Sequence, residues 1–440
     1  MKKTLVALAL MFVVLSCFCT GAEGNEERYV SDGWTYTLRD DGTAVIVDGR
    51  DNQDVICIPD TIDGIRVSEV LYIPNVVCKN FIASDENEAC VVINGVLFSK
   101  DKKRLIRYPI AHDDAAYEIM QGVQRIEMGA FYCSTLSTIV LPDSVEEVGK
   151  SAFNECRSLK EIYLPDRITS INTGVFNCCI SLAEIHLPKN VVYIGEYAFN
   201  NCLKLKSVRL PDGVEKIDEG AFQRSGITSI RIPAGVKGVG RWAFASCMNL
   251  LDVEFSDGMV DIEEYAFDSC YLLENVRLPD GLQAISEGLF NKCGSLKKVW
   301  VPTSVSCIGE NAFYNCRALE KLAIPDGVTD IGKGAFQGCI ALADINIPKR
   351  LTTLESGVFW DCQSLVSLVI PDGVTVIESG AFIECSGLAS VIIPASVEKI
   401  ANDAFYALPW YEIPDVMLSV ERGSYAEQYA IEKNLGYASY

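Results

Sequence analysis

The chain has 440 residues, of which 49% are hydrophobic and 22% charged, a composition that supplies ample material for a buried core. Its formal charge of −21 argues against nucleic acid or an anionic lipid surface as a bulk electrostatic partner. Only two histidines, His112 and His186, are available for chemistry that needs an imidazole.

Residues 1–22 are predicted to be a secretory signal peptide. Lys2 and Lys3 precede an apolar run, Leu5–Leu15, that is too short to span a bilayer comfortably. Small residues at 20–22 suit ordinary cleavage, whereas the residues around Cys17 resemble a bacterial lipoprotein box in which this cysteine is lipidated. We therefore expect an exported protein that is either secreted or held at the cell surface, with a possible N-terminal lipid as its sole membrane contact.

Residues 23–111 are predicted to form an N-terminal cap of hairpins and degenerate repeats. Such a cap covers the core that the first regular coil would otherwise expose. Ile56–Pro59 has the pattern of an early, irregular strand. Val92–Asp101 is predicted to be a hairpin because its Asn94-Gly95 pair is a strong two-residue turn signal.

Residues 112–408 repeat with a period of 22 or 23 residues, which predicts a solenoid. A proline column runs from Pro142 to Pro394 in constant register with a phenylalanine column, and Ser256 fills its one gap. The phenylalanines are Phe131, Phe153, Phe176, Phe199, Phe222, Phe244, Phe267, Phe290, Phe313, Phe336, Phe359, Phe382 and Phe405.

One repeat illustrates how the residues of a coil determine its local structure. Leu322 and Ile324 alternate with exposed positions, as in a strand with one buried face. Pro325 lacks a backbone N–H and ends the strand, and the following Asp-Gly supplies a turn. The segment led by each phenylalanine is predicted to be a compact helical or 3₁₀ return to the next strand.

The pattern LxxIxIPxxVxxIGxxAFxxC resembles the BspA-type, or Treponema pallidum-type, leucine-rich repeat of bacterial surface proteins. The resemblance implies a leucine-rich-repeat solenoid: a right-handed superhelix of about 12 regular coils, with a parallel β-sheet on its concave face and short extended or 3₁₀ segments elsewhere. It also implies adhesion or recognition without catalysis or a cofactor. Residues 409–440 are predicted to be a C-terminal cap, in which 424–430 resembles the short helix that follows the last coil.

Eleven of the 18 cysteines lie three residues before the first leucine-type residue of the next strand, and Arg224 takes this place in the repeat of Phe222. We interpret the column as buried packing thiols, because free cysteine behaves as a small apolar residue. Disulfides between neighbouring coils are the alternative; a metal site is not predicted, since the mature chain lacks CxxC pairs. The column comprises Cys133, Cys156, Cys179, Cys202, Cys247, Cys270, Cys293, Cys316, Cys339, Cys362 and Cys385.

A candidate binding site comes from the residue between the two buried apolar positions of each strand, which should project from the concave face. Aromatic and arginine side chains favour binding hot spots, and arginine grips carboxylate or sulfate in a bidentate way. This predicts a protein or anionic glycan partner, such as host matrix or another cell surface; a solvated face without a ligand is the open alternative. The predicted binding residues are Tyr163, His186, Arg209, Arg231, Arg277 and Trp300, flanked by Lys206, Lys297 and Lys298.

Two other functions stay open. The chain could be a structural surface component that binds copies of itself. It could also be a thiol or serine hydrolase, although neither His112 nor His186 has a local context that would activate a nucleophile. The sequence therefore favours recognition over catalysis.

Overall fold

The computed structural model describes residues 27–49, 52–73, 76–256, 258, 261–405 and 415–440. The predicted signal peptide and the candidate lipidation site Cys17 lie outside these residues. The described chain is a solenoid of stacked parallel strands. Its strands form two sheets, which are called the long-strand sheet and the short-strand sheet.

The long-strand sheet carries the predicted binding residues, and each regular coil contributes one strand to it except the coil of Arg209, where no strand is assigned. Its strands are Ala116–Glu118, Thr138–Val140, Glu161–Tyr163, Glu184–His186, Ser229–Ile232, Asp252–Phe255, Asn275–Arg277, Lys298–Trp300, Lys321–Leu322, Asp344–Ile345, Ser367–Val369, Ser390–Ile393, Met417–Val420 and Gly436–Ser439.

The short-strand sheet follows the proline turn of each coil. Its strands are Arg125–Ile126, Glu147–Val148, Ser170–Ile171, Tyr193–Ile194, Lys216–Ile217, Gly238–Val239, Asp261–Ile262, Ala284–Ile285, Cys307–Ile308, Asp330–Ile331, Thr353–Leu354, Val376–Ile377 and Lys399–Ile400.

The N-terminal region is built from less regular strands around a separate hydrophobic cluster. The Val92–Asp101 hairpin is confirmed: Ile93 lies opposite Val96, and Asn94 and Gly95 take the positive φ angles of 49° and 78° that this turn needs. The strands are Tyr29–Ser31, Trp34–Leu38, Ala44–Gly49, Val55–Ile58, Thr61–Ile62, Ile65–Val70, Asn80–Ala83, Cys90–Ile93, Val96–Ser99 and Arg104–Arg107.

The C-terminal helix is also confirmed, at Tyr425–Glu432. It begins at Ser424, whose hydroxyl accepts a hydrogen bond from the backbone N–H of Glu427, as an N-cap residue does. Tyr429 presents its buried ring to Phe405 at a centroid distance of 6.3 Å. The helix thereby covers the last phenylalanine of the column.

The phenylalanine column forms a continuous buried stack from Phe131 to Phe405. Consecutive ring centroids are 4.9–5.9 Å apart and the planes lie within 23° of parallel. Tyr108 stacks on its first ring at 5.4 Å. Because every coil contributes one ring, the spacing of the phenylalanines in the sequence determines the regular spacing of the rings in the core.

The return segments differ from the predicted helical or 3₁₀ conformation. Each holds isolated hydrogen bonds to the third preceding residue, such as Cys316 N–H to Phe313 O at 3.1 Å, but no continuous 3₁₀ helix is present in the described ranges. Residues with positive φ interrupt it; Asn311 and Asn315 have φ angles of 53° and 57°. The freed N–H groups bond to the next coil instead, as Phe313 N–H does to Ala335 O at 2.8 Å.

The solenoid has about 17 turns rather than the 12 regular coils counted from the sequence. The additional turns lie in the flanking regions, where strands such as Val55–Ile58 and Asn80–Ala83 pair in parallel without the complete phenylalanine and proline signature. These strands bury Ile56, Ile58 and Phe81 in the N-terminal hydrophobic cluster instead of in the columns of the regular coils.

Candidate functional site

The residues predicted to bind project into solvent from the long-strand sheet. Tyr163 and Trp300 keep 61% and 47% of their surface exposed. Tyr163 lies directly opposite His186 on the next strand, and Arg277 lies directly opposite Trp300. The two-residue period of the strands therefore places these side chains on one face, as predicted.

Two local clusters form within this column. The rings of Tyr163 and His186 stack with centroids 5.5 Å apart and an interplanar angle of 11°. The ammonium group of Lys298 lies 4.6 Å from the ring centroid of Trp300, a cation–π contact. Both clusters are exposed, so a ligand can contact their aromatic faces directly.

Acidic side chains divide the predicted cationic stripe. Arg231 lies 3.7 Å from Asp212 and 3.6 Å from Glu254, which occupies the same column between Arg231 and Arg277. Arg277 in turn lies 3.8 Å from Asp280. Asp212 and Asp280 belong to the Pro-Asp-Gly turns, so a signal was present in the sequence at residues that had been interpreted only as turn formers.

The remaining flanking lysines and Arg209 differ in their partners. Lys297 pairs with Glu274 at 3.1 Å. Within the described ranges, Lys206 and Arg209 form no ion pair, and both are exposed. The backbone at 207–209 carries no assigned strand, although Arg209 keeps the outward position of the column. The structure thus offers an unpaired cationic centre between the two aromatic clusters.

The cysteine column has a bonding role in addition to its packing role. Ten buried thiols each donate a hydrogen bond to the backbone carbonyl of the phenylalanine in the preceding coil, at Sγ–O distances of 3.0–3.3 Å; Cys316 bonds to Phe290 O in this way. Each of these buried carbonyls also accepts a backbone N–H of its own coil, as Phe290 O does from Cys293 at 3.0 Å, so the thiol is a second donor that links neighbouring coils. The 16 cysteines of the described residues are free thiols.

Two assignments to the cysteine column were wrong. The column is the third residue after each phenylalanine, which is Ser134 after Phe131 and Ser225 after Phe222, and both serines are buried. Cys133 and Arg224 are instead the second residues, with positive φ angles of 60° and 55°. The error arose because these two repeats lack one residue after the column, so counting back from the next strand shifts the register by one.

Burial makes the column thiols poor nucleophiles. Desolvation raises the pKa of Cys247, Cys339 and Cys385 from the ordinary 9.0 to about 12, and it raises that of Cys316 well above 9.0. Because the thiolate is the reactive form, these residues are suited to packing rather than to catalysis.

We expect exposed and buried cysteines to react with a thiol reagent at very different rates. In the chain beginning at residue 23, Cys57 is exposed and should react within seconds at pH 8, whereas the ten column cysteines should react only on unfolding. A colorimetric thiol titration with and without denaturant measures this. Rapid native labelling of the column cysteines, located by peptide mass spectrometry, would contradict their burial.

The two histidines contact an acidic and an aromatic residue, respectively. Nδ1 of His112 lies 3.1 Å from a carboxylate oxygen of Asp114, and His186 stacks on Tyr163. No serine or cysteine side chain of the described residues is hydrogen-bonded to either imidazole. The same residues contain no group of three or more His, Cys, Asp or Glu side chains placed to hold a metal ion, and no helix among them has the length and apolarity to cross a membrane.

Stacked parallel strands, one phenylalanine per coil and a leucine-rich core define the class of leucine-rich-repeat solenoid proteins. The family model described as BspA type leucine rich repeat region, in six copies, matches residues 116–227, 215–342 and 306–422. These matches cover more than half of the chain, which belongs to the BspA-type leucine-rich-repeat family.

The chain is similar to several solved structures, of which the first named here supports the fold. A leucine-rich repeat protein from Bacteroides ovatus is 20% identical with a TM-score of 0.52, and the alignment covers 94% of this chain and 99% of that chain. A leucine-rich cell surface protein from Faecalibacterium prausnitzii is 24% identical, with the same coverage and a TM-score of 0.45. The pneumococcal vaccine antigen PcpA is 16% identical, again with that coverage, and its TM-score is 0.41. No curated protein matches the chain in sequence.

Proposed function

We propose that this chain is an exported, non-catalytic recognition protein that acts at the cell surface and binds a protein or an anionic glycan through its long-strand sheet. The observation that carries the proposal is the grouping of exposed aromatic and cationic side chains on that sheet, from Tyr163 to Trp300. Membership of the BspA-type family and the predicted signal peptide support export.

The arginines of the sheet are suited to contact an anionic partner. The contacts of Arg231 and Arg277 with neighbouring carboxylates are 3.6–3.8 Å long and exposed, and such pairs contribute little stability. A carboxylate or sulfate of a ligand could replace them with shorter, bidentate hydrogen bonds. Arg209 and Lys206 would contact the ligand without first breaking an ion pair.

Charge reversal on the sheet tests the proposal. The variant Arg209→Glu, Arg231→Glu, Arg277→Glu should lose at least about tenfold in affinity, equivalent to about 1.4 kcal/mol, because three attractive contacts become repulsive. Binding is measured by surface plasmon resonance at low salt against immobilised sulfated glycosaminoglycan, sialylated mucin, matrix proteins and acidic peptides.

The matched control reverses the same number of arginines away from the sheet. Arg167, Arg317 and Arg350 are exposed residues outside the long strands, so their replacement by glutamate changes the net charge equally. Equal affinity of both variants, or equal loss in both, would contradict recognition by the long-strand sheet. Concentration-dependent self-association without binding to any member of the panel would favour the structural alternative.

A further inference from the structure

A second surface of the solenoid, formed by the return segments and separate from the long-strand sheet, carries an open groove. It extends across five coils, from the one containing Phe313 to the one containing Phe405, and has a volume of about 430 Å³, within the range of small-molecule sites. We call it the tryptophan groove. Its principal lining side chains are Glu310, Asn311, Gln337, Trp360, Ile383 and Asp403.

The groove arises from the residue two places before each phenylalanine, which adopts positive φ. This residue is Asn311 in one coil, and glycine in the next three: Gly334, Gly357 and Gly380. Without side chains there, the backbone forms the floor of the groove beside the indole of Trp360. A Cβ atom on Gly357 would lie 3.7 Å from Cε3 of Trp360, so a side chain at this position would occupy the groove.

Polar groups converge on this aromatic ring. Within the described ranges, the indole N–H of Trp360, the side-chain amide of Gln337 and the hydroxyl of Ser356 form no hydrogen bond with the protein. At one end of the groove, the hydroxyl of Ser379 donates to Asp403 at 2.7 Å. The groove therefore combines one flat apolar surface with free hydrogen-bonding groups of both kinds.

An interruption of the short-strand sheet enlarges the groove. Backbone N–H groups link Gly332 to Ile308 O at 2.8 Å and Glu378 to Leu354 O at 2.9 Å, but no equivalent bond joins Glu355 to Ile331. A second cavity of about 430 Å³ lies at this break and shares Glu310 and Lys333 with the tryptophan groove. The two cavities are therefore neighbours on the surface of the solenoid.

We propose that the tryptophan groove binds a neutral oligosaccharide. The indole of Trp360 provides a face for the C–H groups of a sugar ring, while Gln337 and Asp403 provide partners for its hydroxyls. The groove is lined by two carboxylates, Glu310 and Asp403, and one ammonium group, Lys333. Its net charge is therefore negative, and it repels sulfated or carboxylated sugars. This site is independent of the long-strand sheet and selects ligands of a different charge.

Isothermal titration calorimetry of the chain from residue 23 tests the proposal. The probes are neutral trisaccharides of glucose, galactose, mannose and N-acetylglucosamine, with sialyllactose as the anionic comparator. We expect at least one neutral probe to bind with a Kd on the order of 1 mM, and sialyllactose to bind at least about tenfold more weakly. Absence of binding by every neutral probe, or preference for sialyllactose, would overturn the proposal.

Two variants locate the binding site. Trp360→Ala removes the aromatic face, and Gly357→Asn fills the groove with a residue that Asn311 already shows to be compatible with this backbone. Both should weaken binding at least about tenfold. Gly174→Asn, at the same position of a distant coil with a φ of 64°, should leave binding unchanged. Unaltered affinity in the first two variants would contradict the assignment of the site to the tryptophan groove. Retained affinity in the Arg209, Arg231, Arg277 triple variant would show that sugar binding does not depend on the long-strand sheet.

Discussion

Replacing Phe313 by alanine is expected to lower the free energy of unfolding by about 3–5 kcal/mol. The ring is completely buried and stacks on Phe290 and Phe336 with centroid distances of 5.6 Å on both sides. Its removal leaves a cavity between two coils, and their backbones cannot close it because hydrogen bonds such as Phe313 N–H to Ala335 O fix their spacing. Urea denaturation followed by circular dichroism measures the change.

Two further variants isolate the cause of this loss. Phe313→Leu keeps most of the volume and should cost about 1.5 kcal/mol or less. Tyr163→Ala removes an exposed ring and should change stability by no more than about 0.5 kcal/mol. A loss below about 1 kcal/mol for Phe313→Ala would show that the phenylalanine stack contributes little to stability.

Alkaline pH is expected to lower the free energy of unfolding and to unfold the chain at a pH that does not damage its backbone. An unfolded thiol ionises near pH 9.0, whereas burial raises the pKa of Cys247, Cys339 and Cys385 to about 12 in the folded chain. Between these values the unfolded state binds fewer protons than the folded state, so stability falls as pH rises. Each such thiol contributes a loss of up to about 1.4 kcal/mol per pH unit. Thermal unfolding under reductant at pH 8.0 and about pH 10.5 measures the effect.

The control for this prediction uses a residue that the fold already accepts in the cysteine column. Ser225 is buried there, with Oγ 3.4 Å from Sγ of Cys247. The triple variant Cys293→Ser, Cys316→Ser, Cys339→Ser keeps a hydrogen-bond donor in each coil but removes three titrating groups. Its stability should depend less steeply on pH above 9 than that of the unmodified chain. An equal slope would show that other groups cause the alkaline unfolding.

Local patterns in the sequence predicted those parts of the fold that depend on local chemistry. The Asn94-Gly95 turn, the helix after Ser424 and the outward position of Tyr163 follow from turn geometry, capping and strand alternation. The thiol hydrogen bonds could not be predicted in this way, because the acceptor of Cys316 is Phe290, which lies 26 residues earlier in the chain. Only the stacking of coils brings this carbonyl to the sulfur.

The outward column of candidate residues was predicted from the sequence, but the charges beside it were not. Column counting identified Arg231 and Arg277, yet their carboxylate neighbours Asp212 and Asp280 come from turns whose side-chain directions are not set by strand alternation. The tryptophan groove was not predicted because it depends on the column two residues before each phenylalanine, which lies outside the strands and is not governed by their alternation. The change from Asn311 to glycine in the next three coils was a sequence signal for it.

Footprinting of the bound complex tests recognition by the long-strand sheet most directly. Carbene labelling is compared for the chain from residue 23, alone and with the tightest anionic ligand of the panel, and the labelled residues are located by mass spectrometry. We predict protection of Tyr163, Arg209, Arg277 and Trp300, with unchanged labelling of exposed Arg317 and Arg350. Protection confined to residues outside the long-strand sheet would contradict the account.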